Sequence, residues 1–132
     1  MSHSYLLYAE DDEDDTDIMK EMILSHSHLN PLVCVDNGFA LLEHLQQIPR
    51  QESYPSLIIL DVRLPKLDGI ETLELLRTDD LYRLIPVVMF SSKLSKGEKE
   101  RCQALGAEVL LKPLTYSGWL EVFDHFSAYI DE

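Results

Sequence analysis

A chain of 132 residues has room for one compact domain with a hydrophobic core of its own. Its formal net charge of −13 argues against direct nucleic-acid binding, which needs a basic surface, and no apolar run is long enough to span a bilayer. Met1–Tyr8 lacks the basic start and long apolar stretch of a signal peptide, so a reduced, cytoplasmic setting is expected, with Cys34 and Cys102 as packing residues.

The first apolar run, Tyr5–Ala9, leads straight into Glu10–Thr16, where six of seven residues are acidic. Such a run ordinarily marks a solvated face or a helix N-terminus, and Ile18, Met19, Met22 and Ile23 supply the helical stripe behind it. A second run, Leu32–Val35, precedes a stripe at Leu41, Leu45 and Ile48, and Arg50–Pro55 then reads as a polar loop. The third run, Leu57–Leu60, is followed by a turn and helix start at Asp68–Gly69 and a stripe at Ile70, Leu73 and Leu76. After the fourth run, Pro86–Phe90, the sequence Ser95-Lys-Gly-Glu98 reads as a capping box opening a polar helix to about Leu105, which Gly106 stops. The fifth run, Val109–Leu111, precedes the longest stripe, at Tyr116, Trp119, Leu120, Phe123 and Tyr129–Ile130. The runs alternate little in polarity, as strands buried on both faces do. Strand–helix repeated five times predicts one doubly wound α/β domain over residues 1–132, a parallel sheet with helices on both faces and no second domain.

In open α/β sheets, ligands bind beyond the carboxyl ends of the strands. Those ends carry Glu10 and Asp11, then Asp61, then Ser91 with Ser92 and Lys93 behind it, then Lys112–Pro113. Carboxylates held close repel one another, so a proton or a cation must join them, and hard oxygen ligands favour Mg²⁺. A carboxylate can also take a phosphoryl group as an acyl phosphate. Mg²⁺, the Ser91 hydroxyl and the Lys112 ammonium could then serve one phosphoryl oxygen each. The five histidines show no metal-ligand spacing, and His26 and His28 fall near a helix end.

The stretches Tyr8-Ala-Glu-Asp-Asp12, Leu60-Asp-Val-Arg-Leu-Pro-Lys-Leu-Asp-Gly69, Pro86-Val-Val-Met-Phe-Ser-Ser92 and Gly106-Ala-Glu-Val-Leu-Leu-Lys-Pro113 closely resemble the receiver domains of two-component response regulators, over essentially the whole chain. The resemblance implies a flavodoxin-like strand order 2-1-3-4-5, and the length of the chain leads us to expect no output domain. It implies Asp61 as phosphoacceptor, Ser91 as switch hydroxyl and Lys112 as phosphate-binding lysine. Asp11 would be a direct Mg²⁺ ligand together with Asp61, Glu10 would act through water, and Arg63 would lend its backbone carbonyl. Asp12 could exchange places with either acidic neighbour, but Glu10 and Asp11 follow the strand most directly. A cis peptide before Pro113 is also implied. The expected function is a single-domain switch rather than a turnover enzyme, fed by a histidine kinase or phosphotransfer protein. It would be read by a downstream protein partner through its last two helices and last strand, with homodimerisation through that face left open.

One departure is Val109, where many receivers carry an aromatic residue that swings inward. Valine lacks that rotamer exchange, so the coupling is expected to run instead through Ser91 and the helix from Ser95 to Leu105. Arg63 and Lys93, each two residues past a site residue, are expected to border the site and screen an acyl phosphate from water. The competing function is a receiver-like binding module that is not phosphorylated. An aspartyl phosphohydrolase would want a second Asp where Arg63 stands, and a flavin carrier would want a phosphate-cradling loop where Glu10–Asp15 would repel one.

Overall fold

Short runs of Leu, Ile and Val pair side by side because no stretch of them is long enough to bury itself as a helix. In the computed structural model, which describes residues 5–26 and 32–130, the chain runs β1 (Leu6–Ala9), α1 (Glu13–His26), β2 (Leu32–Val35), α2 (Gly38–Gln46) and β3 (Leu57–Leu60). It continues through α3 (Gly69–Thr78), β4 (Val87–Ser91), α4 (Lys96–Ala104), β5 (Glu108–Leu111) and α5 (Tyr116–Ser127). The sheet is parallel throughout with order β2-β1-β3-β4-β5, as expected. His28 lies outside the described residues. No helix among the described residues is long and apolar enough to cross a membrane.

Alternation along the strands divides the core in two. Leu6, Tyr8, Leu57, Ile59, Val88 and Phe90 face α1 and α5, while Leu7, Ala9, Ile58, Leu60, Val87 and Met89 face α2 and α3, with Cys102 of α4 at the edge. On the first face Phe90 is the hub, with Trp119 and Phe126 edge-on at 5.4 Å centroid separation. Such aromatic pairs add about 0.5–1.5 kcal/mol each beyond the area they bury. β1, β3 and β4 are buried on both faces, but β2 and β5 are not: they are the sheet's edges, and Glu108 and Leu111 reach solvent. Tyr116, expected in the last apolar stripe, is exposed at the start of α5, and Phe126 takes its share of the burial two turns and more further on.

Local signals set the helix ends. Asn37, Asp68, Ser95 and Thr115 each cap a helix with a side-chain oxygen. The capping box at Ser95–Glu98 is present in both directions, and Gly106 follows α4 with φ +78, a left-handed conformation that glycine adopts without steric cost. The polar stretch after α2 contains a single 3₁₀ turn, Gln51–Ser53. The cis peptide expected before Pro113 is absent, because every peptide bond among the described residues is trans. Trans is the favoured isomer by about 0.5–1 kcal/mol, and the loop delivers Lys112 to the sheet end without paying for the alternative.

Candidate functional site

Strand register places the chemistry. Ala9 pairs with Leu60, Leu60 with Met89 and Met89 with Val109, so Glu10 and Asp61 leave the sheet at one level, Ser91 one residue further and Lys112 two, all along the carboxyl edge. The Asp61 amide donates to the Ala9 carbonyl at 3.2 Å, and the Lys112 amide donates to the Ser91 carbonyl at 2.8 Å, which carries the ladder one residue past the strands. Gly69 makes the turn after Asp61 possible: a Cβ there would stand 2.0 Å from the Asp61 carbonyl oxygen.

The Lys112 ammonium is the centre of the cluster. Its Nζ lies 2.5 Å from Glu10 Oε1, 2.7 Å from Asp61 Oδ2 and 2.7 Å from Asp15 Oδ2, which uses all its donors. The other Asp61 oxygen, Oδ1, accepts from the Ser91 hydroxyl at 2.5 Å and from the Arg63 amide at 3.0 Å. Ser91 Oγ in turn accepts the Val62 amide at 2.9 Å. Glu10 is fixed from below by the buried Tyr8 hydroxyl, which donates to Oε1 at 3.3 Å, and from the side by the Asp12 amide on Oε2.

Electrostatics follow from this arrangement. Burial raises the Asp61 carboxyl, but the Lys112 ammonium, the Ser91 hydroxyl and the Arg63 amide outweigh it, and the group stays below its ordinary range. Glu10 goes the other way: burial and the Asp61 charge beat Lys112 and push it up to about 7. Burial works against the Lys112 charge too, yet its carboxylates hold the ammonium above its usual value. Burial, then the carboxylates of Glu10, Asp15 and Asp61, raise the Tyr8 phenol, which keeps it a hydrogen-bond donor.

The predicted residues Glu10, Asp61, Ser91 and Lys112 are thus brought into direct contact. Asp11 stands apart, exposed at the rim of a cleft of about 310 Å³ lined by Glu10, Asp11, Asp12, Asp61, Arg63, Ser92, Lys93 and Lys112. Arg63 and Lys93 border the site as expected, but the Arg63 guanidinium turns outward to Glu98. Sequence reasoning missed Asp15 as a partner of Lys112 and Tyr8 as a support of Glu10. Asp15 lay inside the acidic run, and only the angle of α1 against the sheet edge singles it out.

No three His, Cys, Asp or Glu side chains close into a metal cage among the described residues. What is present is an open set of hard oxygens, Glu10 and Asp61 with Asp11 at the rim, facing a single ammonium. That fits a cation such as Mg²⁺, which keeps several waters and takes its remaining oxygens from a phosphate.

A sequence profile described as the response regulator receiver domain matches residues 6–121. The polar-differentiation response regulator DivK of Brucella anthropi is 26% identical over 122 residues, 92% of this chain and 94% of the relative. The phosphorylated cyanobacterial phytochrome response regulator RcpA superposes with a TM-score of 0.84 at 25% identity, covering 98% of this chain and 94% of its own. The Mn²⁺-bound response regulator Rcp1 does so with a TM-score of 0.80 at 26% identity, covering 95% and 92%.

Proposed function

The chain belongs to the response regulator receiver family of two-component signalling, and we propose that it is a switch set by phosphorylation of Asp61. The observation that carries this reading is the convergence of the Lys112 ammonium and the Ser91 hydroxyl on opposite oxygens of one ionised carboxylate at a sheet edge. That RcpA occurs in a phosphorylated form and Rcp1 with Mn²⁺ supports it.

In this reading the donor is the phosphohistidine of a histidine kinase or phosphotransfer protein. An Asp61 carboxylate oxygen attacks phosphorus, the P–N bond breaks, and its electron pair returns to the imidazole, leaving an acyl phosphate. The Lys112 N–H now on Asp61 Oδ2 and the Ser91 O–H now on Oδ1 pass to phosphoryl oxygens, where the negative charge has gone. Glu10 and Asp15 keep the ammonium in place meanwhile. Asp11, Asp61 and the Arg63 carbonyl would hold Mg²⁺, with Glu10 through water, and the ion would neutralise a phosphoryl oxygen. Reversal needs water: its oxygen attacks phosphorus, the P–O bond to Asp61 breaks, and inorganic phosphate leaves. Lys93 at the cleft mouth restricts that approach, while the Arg63 guanidinium is drawn off to Glu98.

Phosphorylation then shifts a pre-existing equilibrium toward a state with altered affinity for a downstream protein. The face of α4, β5 and α5 is where we place that contact, and the exposed Leu111, Leu114 and Tyr116 along it support the choice. The same face could pair two copies. The test is Mg²⁺-dependent phosphate incorporation from a small phosphodonor, in wild type beside Asp61→Asn. Incorporation needing both Mg²⁺ and Asp61 is expected, and none at any Mg²⁺ concentration would reject the reading in favour of a binding module.

A further inference from the structure

Residue 63 is held at both ends. Its amide donates to Asp61 Oδ1 at 3.0 Å, and its guanidinium grips Glu98 bidentately, at 2.5 Å to Oε2 and 2.9 Å to Oε1. Glu98 is the residue that closes the capping box of α4, accepting the Ser95 amide at 2.9 Å. A continuous polar chain therefore runs from the carboxylate of Asp61 to the first turn of α4 through Arg63.

α4 is built to be moved. Cys102 is its one buried side chain, and around Gly97 a Cβ would meet nothing within 4 Å. Little apolar burial fixes the helix, so polar ties set its place: Arg63 to Glu98 at its start, and Arg101 to Glu74 of α3 near its end. Val109 on the neighbouring β5 is too small for a large inward rotamer swing.

We propose that the Arg63–Glu98 ion pair is the output coupling of this receiver, transmitting a change of state at Asp61 to the N-terminus of α4. The proposal rests on the reading that Asp61 takes the phosphoryl group. When it does, the charge that Oδ1 offers to the Arg63 amide and the Ser91 hydroxyl moves onto the phosphoryl oxygens, and charge-assisted donors follow charge. Val62 loses its hold on Ser91 Oγ as that hydroxyl turns. The segment 62–63 therefore shifts, and a planar, two-pronged guanidinium carries direction as well as contact, which a single-point lysine would not. By linkage, the pair transmits equally in reverse: displacing α4 changes the site's preference for phosphate.

The experiment follows backbone amide NMR shifts on adding Mg²⁺ and beryllofluoride as the phosphoryl mimic, in wild type, Glu98→Gln, Arg63→Lys and Glu74→Gln. Glutamine at position 98 keeps the capping box, so that variant removes the ion pair without unmaking the helix start. In wild type and in Glu74→Gln, the amides of 62, 63 and 91 and those of α4 move together. In Glu98→Gln the site amides still move, while the α4 displacements fall about fivefold or more, the lower end of ordinary allosteric coupling. Arg63→Lys gives an intermediate α4 response. Undiminished α4 displacement in Glu98→Gln overturns the coupling, and so does an equal fall in Glu74→Gln, which would mean general loosening. Site amides unmoved in wild type would overturn the reading of Asp61 and the coupling with it, so the two failures are distinguishable.

Discussion

Replacing Lys112 by methionine keeps most of the side-chain volume and removes only the charge. The ammonium is 7% exposed, facing Glu10 at 1% and Asp61 at 8%, so its loss leaves carboxylates that water cannot reach freely. Deleting one partner of a buried ion pair typically costs about 3–5 kcal/mol. Here the loss is smaller near neutral pH, because Glu10, already at about 7, takes a proton with little penalty. We expect about 2–3 kcal/mol at pH 7, or a fall of roughly 8–12 °C in Tm for a domain of this size. The sign with pH is fixed by Glu10. Its carboxyl in the folded protein sits above its unfolded value, so its contribution is full in acid and fades as pH rises through the folded pKa. Without Lys112 that pKa climbs further. The gap between variant and wild type should therefore widen above pH 7, by up to about 1.4 kcal/mol per pH unit. Urea unfolding followed by the fluorescence of Trp119, packed edge-on against Phe90, measures this at pH 6, 7 and 8 with chelator or Mg²⁺. Mg²⁺ should restore part of the loss by occupying the same oxygens. A variant as stable as wild type at pH 8 in chelator, or a gap that ignores pH, would refute the charge-balance argument.

Two glycines should behave oppositely. Gly69→Ala drives a Cβ against the Asp61 carbonyl, so stability should fall by about 2 kcal/mol or more and phosphate incorporation should fall with it; Gly97→Ala, in open space on α4, should gain up to about 1 kcal/mol in urea unfolding. Phosphoryl loss, followed by phosphate release after the donor is removed, should be faster in Lys93→Ala than in wild type, because Lys93 borders the cleft mouth.

Much of this was legible from the chain alone, for a physical reason. Strands, caps and strand-end residues are local patterns, and in a parallel sheet the strand ends fall on one edge without further information. That is why Glu10, Asp61, Ser91 and Lys112 could be grouped before any coordinates, and why the Ser95–Glu98 box and the Gly106 stop held. What escaped depends on angles between elements. Asp15 meets Lys112 only because α1 leaves β1 at a particular tilt, and nothing in six consecutive acids marks it out. Arg63 reads as a site-bordering cation, and its turn toward Glu98, 35 residues on, is a property of how α4 lies beside the loop. The Lys112–Pro113 bond shows the converse, since a resemblance carried a backbone detail that this chain does not adopt.

The Lys112 cluster also has a meaning in time. Its nitrogen bonds to groups 51 and 97 residues earlier in the chain. On a ribosome, β1, α1 and β3 emerge long before residue 112. Until then the carboxylates repel one another, and Asp61 lacks the ammonium that would steady a phosphoryl group. Closing those long loops costs chain entropy that the sheet contacts around them must offset. On the proposed reading, competence to take a phosphoryl group therefore arrives together with the completed Lys112 cluster.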